Sequence, residues 1–412
     1  MKIAVVGSGV SGLVCAHLLS PRHDVVLFEA DARLGGHAHT VEVEDGSGKV
    51  PVDTGFIVFN RKTYPGFTRL LERLGVEAQE SEMSFSVRSD RRDLEYSGSG
   101  LLGLYAQPRN ALAPRFHRMV LDILRFYRQA RELLPEGEEV ELLSWLEARG
   151  YSRGFVEDHL LPMVGAVWSA GQGGAGRLPA RFVARFFENH GFLQVDGRPT
   201  WLTVKGGSRT YVSAILDGFA GELRPGCPVA SIRREDRAVS VRAAGSAAER
   251  FDHVILACHS DQALRLLEDP SPRERELLSA LPYQPNDVLL HDDQAVMPRL
   301  RRTWSSWNAH LDGAEKPGAS LTYWMNRLQR LPGPRQLFVS LNREGVRPDR
   351  VLRRLEYAHP VFTVAGAAAQ ARHAELLGQR RTSYCGAYWR HGFHEDGVQS
   401  ALAACRGFEV TL

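Results

Sequence analysis

KIAVVGSGVSGLVCAHLLSPRHDVVLFE, residues 2–29, decides the fold. The apolar run ending at Val6 suits a parallel strand buried on both faces. Gly7, Gly9 and Gly12 follow in a G-x-G-x-x-G spacing, with Val10 and Ser11 opening a helix pattern. A second apolar run, VVLF, ends at Glu29. Each glycine has a physical role in such a unit. Gly7 permits a tight turn, Gly9 lets backbone amides approach a pyrophosphate, and Gly12 lets the helix pack closely on the sheet. The helix start offers unpaired N–H groups and a positive dipole end to phosphates. Glu29 lies 22 residues past Gly7, where a carboxylate accepts ribose hydroxyls and disfavours a 2′-phosphate. Strand, glycine turn, helix and acid-terminated strand together point to a dinucleotide site.

The chain continues ADARLGGHAHT from Ala30, which places Arg33, Gly35, Gly36 and His37 just past the second strand. This E-x-x-x-R-x-G-G arrangement resembles the extended fingerprint of FAD enzymes in the flavin amine oxidase superfamily. That superfamily often carries arginine after the diglycine, where this chain has His37; either side chain can donate to a phosphate or ribose. A second G-x-G-x-x-G, GQGGAG at Gly171–Gly176, lacks a clean strand before it and an acid-terminated strand after it, and reads as a surface loop. Without a second nucleotide site, NAD(P)H is not expected to recharge a flavin here, so electrons would leave to oxygen, a quinone or a partner.

With 412 residues, 43% of them hydrophobic and 24% charged, the chain can bury a large core in two or three domains. A formal net charge of +3 is too small to argue for nucleic acid. The five cysteines, Cys15, Cys227, Cys258, Cys385 and Cys405, form no CxxC pair, which favours a reducing, cytoplasmic compartment and no metal site. The glycines interrupt any export-signal core at the start, and no apolar run is long enough for a spanning helix.

VPVDTGFIVFN (Val50 to Asn60) reads as a strand, a turn at Thr54–Gly55, and a second apolar run through Phe56 and Ile57, where a flat ring can lie against backbone. Residues 61–199 are mostly helical in pattern. In PRFHRMVLDILRFYRQARELL, Phe116, Met119, Val120, Ile123, Leu124, Tyr127 and Leu134 make one face, and Arg115, Arg118, Arg125, Arg128 and Arg131 a basic side. That side suits a solvated face, or docking to anionic lipid. Residues from Trp201 onward read as a strand, a Gly206–Gly207 turn and a helix, then three short strands before Cys258. Near the end, SYCGAYW reads as a strand ending at Gly386, and HEDGVQSALAAC as a helix with Glu395 or Asp396 near its N-cap and Gly407 after its end. The glycine unit at the start holds only the adenine, ribose and pyrophosphate of a flavin dinucleotide. The tail helix, opening through Asp396, Gly397 and Val398, is placed to meet the isoalloxazine and stabilise negative charge on its reduced form.

GSGVSGL, FEADARLGGHAHT, VDTGFIVFN, YPGFTRLLERLGV, WLTVKGGSRTYV, LACHSDQAL, TYWMNRLQ and GFHEDG together resemble a bacterial family of FAD-dependent oxidoreductases within the amine oxidase/phytoene desaturase superfamily. Its members are often encoded beside cyclopropane-fatty-acid synthases, and a similar segment is fused to plant cyclopropane synthases. The resemblance implies an α/β fold. A Rossmann-like FAD-binding domain of the glutathione-reductase, amine oxidase type (1–60, 200–262 and 378–412) is interleaved with an α+β substrate domain (61–199 and 263–377). It also implies FAD as cofactor, a backbone contact to adenine at Val229, a small-molecule or lipid substrate such as an unsaturated or methylated acyl chain, and a possible methyltransferase partner. Some relatives link flavin through a cysteine lying upstream of the position of Cys385, so Cys385 reads as structural. Tyr388, Trp389, Trp201 and Tyr323 are candidates for a substrate cavity or for core. His259, His391, His394 and Glu395 are candidate acid–base groups, though no nucleophile–base set singles out a catalytic residue, and Lys205 reads as a loop contact. An amine oxidase acting on a soluble amine and a flavin-bearing accessory subunit of a lipid methyltransferase remain alternatives.

Overall fold

The computed structural model describes residues 1–46, 48–170, 173–312 and 319–412. The opening βαβ unit forms as its sequence dictates. Lys2–Val6 and Asp24–Phe28 pair in parallel, flanked by His253–Leu256, Thr382–Tyr384 and Glu222–Arg224, giving one five-stranded parallel sheet. The helix Val10–Leu19 buries nine of its ten residues, so it is apolar all round rather than amphipathic, as a helix covered on both sides must be. On its face of the sheet Ile3, Val5, Leu13 and Val14 pack with Val398, Ala401 and Cys405 of the C-terminal helix His394–Cys405. On the other face Ala4, Val26 and Phe28 meet Ile232, Val241 and Phe251 of a three-stranded antiparallel sheet. The two ends of the chain therefore share one core.

A seven-stranded mixed sheet forms the second layer, in the order Val351–Pro360, Tyr283–His291, Phe338–Leu341, Ala319–Trp324, Trp307–Leu311, Phe85–Ser89, Leu94–Ser97. Helices Pro114–Gln129, Leu142–Ala148, Leu161–Trp168 and Ala180–Asn189 pack beside it around Phe126, Trp145, Phe155 and Phe187.

Several local expectations change. The run after Thr54–Gly55 forms no strand beyond a single bridge, Phe59 to Leu202, because the chain turns there to pass under His37. Within GQGGAG, Gly171 and Gln172 lie outside the described residues, while Gly173 and Gly174 turn into a short 3-10 helix at Ala175–Arg177. Gly407 does not terminate the tail helix in a left-handed turn. Arg406 stays right-handed, a 3-10 turn Arg406–Phe408 continues, and the left-handed residue is Glu409. Among the described residues no helix is long and apolar enough to cross a membrane.

Candidate active site

The glycines at the start form a cradle whose members are constrained in different ways. Gly7 has φ +103°, and a Cβ there would lie 2.9 Å from the Ala257 carbonyl oxygen. A Cβ on Gly12 would lie 1.9 Å from the Gly7 carbonyl oxygen. At Gly9 nothing lies within 4 Å of a Cβ, so the space beside it is open. Gly36, at φ +56°, brings its own Cβ position to 3.0 Å from Gly9 Cα, so the diglycine turn and the first turn meet backbone to backbone. Ser8 joins the two, since its N–H and Oγ donate to Glu29 Oε2 at 2.8 and 2.6 Å and its Oγ accepts from Gly35 N–H at 3.1 Å. Asp31 N–H donates to Glu29 Oε1 at 3.0 Å. Arg33 curls inside the turn and donates to the carbonyls of Leu34, Gly36 and Ala38 at 3.2, 2.8 and 3.2 Å, so this guanidinium shapes the diglycine bend. Ala30 is exposed, and Val229 is half-buried at a strand start held close to Glu29 by the Cys227 N–H bond to the Glu29 carbonyl.

The diglycine leads into a buried wall. His37 is half-buried with its Nε2 enclosed, that nitrogen has no hydrogen-bond partner among the described residues, and burial, reinforced by His359 and His259, holds its pKa well below the ordinary value. The strand end Thr54–Gly55–Phe56 crosses it so closely that a Cβ on Gly55 would lie 2.2 Å from the His37 carbonyl oxygen, which accepts from Phe56 N–H at 2.8 Å. Thr54 and His39 share hydrogen bonds with the Tyr357 hydroxyl, each at 2.8 Å. Ile57 is buried, and its carbonyl accepts from Thr203 Oγ at 2.8 Å.

Asp53, immediately before this turn, is a residue that sequence reasoning missed. Its buried carboxylate accepts from Thr40 Oγ at 2.6 Å, Ser208 Oγ at 2.7 Å, Ser208 N–H at 2.9 Å and Gln329 Nε2 at 3.0 Å. It thereby pins the glycine turn at Gly206–Gly207 and the end of Met325–Leu328 to the wall. The signal was present in VDTG and KGGS, but nothing in either indicates that they meet.

The tail closes the site from the other end. Ser11 Oγ donates to the Gly397 carbonyl at 2.9 Å, and a Cβ on Gly397 would lie 2.5 Å from Val10 Cγ1; only glycine lets the two helices approach this closely. Gly386 N–H donates to Ser400 Oγ, which donates to the same Gly397 carbonyl, both at 2.9 Å. His394 stacks on Phe56 with ring centres 3.5 Å apart and shares a 3.0 Å hydrogen bond with Tyr211; burial lowers its pKa to about 3. Asp396 accepts from Phe393 N–H at 2.9 Å, and burial pushes its carboxyl up to about 7. Val398 is fully buried beside them. Glu395 lies in the first turn of the tail helix, as the sequence suggests, and reaches a second helix. Its two oxygens accept from Gly66 and Phe67 N–H at 3.0 and 2.9 Å and from Gln399 Nε2 at 2.7 Å, so it caps the helix Pro65–Leu74. Cys385 is buried with its sulfur 3.8 Å from that of Cys15, and all five cysteines are free thiols.

Beyond the wall lies an aromatic interior. His190 stacks on Phe186 at 3.8 Å and His391 lies 4.6 Å from Phe182, while Trp168 Nε1 donates to the His391 carbonyl at 3.0 Å. Burial lowers His190 and His359 to about 4 and His391 to about 3, so these imidazoles are neutral. Trp201 faces His190 at 6.0 Å. His259 stacks on Tyr283 at 4.0 Å, and the buried Tyr388 hydroxyl has no partner among the described residues. Trp389 stacks on His373 and Tyr323 packs on Trp307, which are core contacts. Lys205 is exposed and paired with Glu77 at 2.7 Å.

Residues 10–298 match the family model of flavin containing amine oxidoreductases, and the chain belongs to that family. It is a FAD-dependent oxidoreductase. Its fold is shared by a CLA-producing fatty acid isomerase from P. acnes (TM-score 0.70, 14% identity, 98% of each chain covered). It is shared also by cyclohexylamine oxidase from Brevibacterium oxydans IH-35A (TM-score 0.68, 15% identity, 99% of each chain). An oxidoreductase from Methanosarcina mazei aligns over 99% of this chain and 100% of its own, with TM-score 0.65 and 16% identity. No curated protein sequence matches the chain. The residues present fit FAD: the space beside Gly9 is open, and the enclosed His37 Nε2 lacks a partner among the described residues, which a polar group of the cofactor would supply.

Proposed function

We propose that the chain oxidises or isomerises a hydrophobic substrate, an unsaturated or modified acyl chain, with FAD held by both ends of the sequence. In this reading residues 1–60, 200–262 and 378–412 form the FAD-binding domain and the remaining segments the substrate domain. The amides at Gly9–Ser11 face the pyrophosphate, Glu29 the ribose, and Val229 the adenine. His37 completes the wall. The first turn of the tail helix, at Asp396–Val398, directs its N–H groups to the redox end. When bound, FAD supplies hydride acceptance and return at N5. The chain's own part is to exclude water with Trp168, Phe182, Phe186 and Phe393, and to keep the interior uncharged.

One observation carries the substrate class. The interior histidines are neutral, and the nearby carboxylates are already engaged: Glu395 by helix amides, Asp396 by Phe393 N–H, Asp53 by four donors. Burying an ammonium group there would leave it without a counter-charge, whereas an acyl chain loses nothing. The shared fold does not choose, since fatty acid and amine enzymes both have it. In an anaerobic cuvette, the flavin absorbance of the holoenzyme is expected to bleach, or to turn over without net bleaching while substrate isomerises, with unsaturated fatty acids or phospholipids. Bleaching with amines alone would overturn this reading. Response to neither class, with a methyltransferase co-purifying, would replace it with an accessory role.

A further inference from the structure

Five of the nine large hydrophobic side chains exposed among the described residues lie between positions 101 and 124. They include the three most exposed: Leu102 at 88%, Leu112 at 87% and Leu101 at 75%. Leu101 and Leu102 head the one-turn helix Leu101–Leu104, and Leu112 ends the 3-10 segment Pro108–Leu112. The helix Pro114–Gln129 continues the surface. Its inward face is Phe116, Met119, Asp122 and Phe126, and Leu121 and Leu124 point out. The sequence pattern had put Leu124 on the buried stripe. The helix is rotated away from that reading because Asp122 turns inward to take the Ser152 N–H and the Arg118 guanidinium. Contacts hold these segments together: Tyr105 packs on Phe116 and shares a hydrogen bond with His117, whose Nε2 bonds the Ala111 carbonyl.

Along the chain the charge of this stretch is of one sign, although Arg109 is paired with Asp93 and the neighbouring Arg92 with Asp158 and Glu157. Between Gly98 and Arg131 there are six arginines, and the only acid is the buried Asp122. Beside the leucines a groove of about 400 Å³ is lined by Arg92, Arg115, Arg118, Arg153, Ser152 and Gly154. Arg92 and Arg118 are paired with Asp158 and Asp122, whereas Arg115 and Arg153, and Arg128 one helix turn past Leu124, are exposed and take part in no ion pair among the described residues. Exposed leucines on two short turns and one helix, beside the arginines Arg115, Arg128 and Arg153, complement an anionic bilayer, with the leucines reaching the acyl boundary and the guanidiniums at phosphate depth. A protein partner groove or self-association face would not require this surplus of unpaired positive charge.

We propose that Leu101, Leu102, Leu112, Leu121 and Leu124 with Arg115, Arg128 and Arg153 form a docking surface for membranes rich in anionic phospholipid, the groove between Arg115 and Arg153 receiving a headgroup phosphate. This surface stands apart from the FAD site, and its test is independent of the substrate reading. The holoenzyme is mixed with vesicles of phosphatidylcholine alone or with one quarter phosphatidylglycerol, sedimented, and assayed by flavin absorbance. Wild type is expected to sediment with the anionic vesicles at low salt and to be released at high salt. The triple variant L101S/L102S/L112S and the double variant R115E/R153E, both with unchanged flavin spectra, are each expected to partition about tenfold less. Failure of wild type to bind anionic vesicles at low salt overturns the proposal. So does equal binding to both vesicle types with no effect of R115E/R153E. A wild-type dimer that the triple serine variant converts to monomer would also overturn it, by assigning the face to a second copy of the chain.

Discussion

Alanine at Gly9 strips FAD from the protein while leaving the apoprotein nearly as stable as wild type. The two halves of this expectation have separate causes. Gly9 has φ −62°, a conformation open to any residue, and its Cβ position meets nothing within 4 Å; the cost to the fold is limited to a poorer helix cap, about 0.5–1 kcal/mol. The added methyl instead occupies the space the proposed pyrophosphate needs, and an overpacked contact of this kind costs about 3 kcal/mol, or about 100-fold in FAD affinity. Gly12→Ala is the contrast. Its Cβ would lie 1.9 Å from the Gly7 carbonyl oxygen, so the fold itself is expected to suffer, with FAD present or not. Titrating FAD into both apoproteins and comparing their urea midpoints separates the two. If Gly9→Ala retains FAD with wild-type affinity, the pyrophosphate does not lie against Gly9.

Asp53→Ala is expected to lower stability by about 3–5 kcal/mol, because it leaves buried donors from Thr40, Ser208 and Gln329 without an acceptor. Asp53→Asn, which preserves shape, is expected to cost less and to expose a pH dependence. Burial outweighs the four donors and raises the Asp53 carboxyl to about 6, against about 3.9 in the unfolded chain. The folded state therefore holds a proton that the unfolded state has released. The stabilisation linked to that proton is fully present below about pH 3.9 and is lost as pH rises through the folded value of about 6. The stability of wild type relative to Asp53→Asn should fall by roughly 2–3 kcal/mol from pH 4 to pH 7. A difference that grows with pH would show that the carboxylate is instead held ionised.

What the sequence revealed and what it hid follow from the range of the interactions. The βαβ unit was legible because its glycines, helix and terminal acid sit at fixed local spacings, and the parallel pairing of Lys2–Val6 with Asp24–Phe28 follows from them. The meeting of the chain ends was legible too, since a flavin is longer than one such unit; the contact through Ser11 and Gly397 gives it geometry. Asp53 was not legible, because its partners Ser208 and Gln329 lie 155 and 276 positions away. The partners of Glu395 were hidden for the same reason: it lies in the first turn of the tail helix, where the sequence puts it, but its oxygens reach the amides of Gly66 and Phe67, over 300 positions earlier. The long strands Tyr283–His291 and Val351–Pro360 escaped notice because proline, asparagine and arginine interrupt their alternation.

Hydrogen–deuterium exchange of apoprotein against holoprotein tests most directly whether one FAD spans both ends of the chain. Peptides covering Gly7–Leu13 and Gly386–Val398 are expected to gain protection together on FAD binding, with the first-turn amides of the tail helix included. Protection confined to the first peptide, with the tail unchanged, would mean that the redox end of the cofactor lies elsewhere and would contradict the two-ended site.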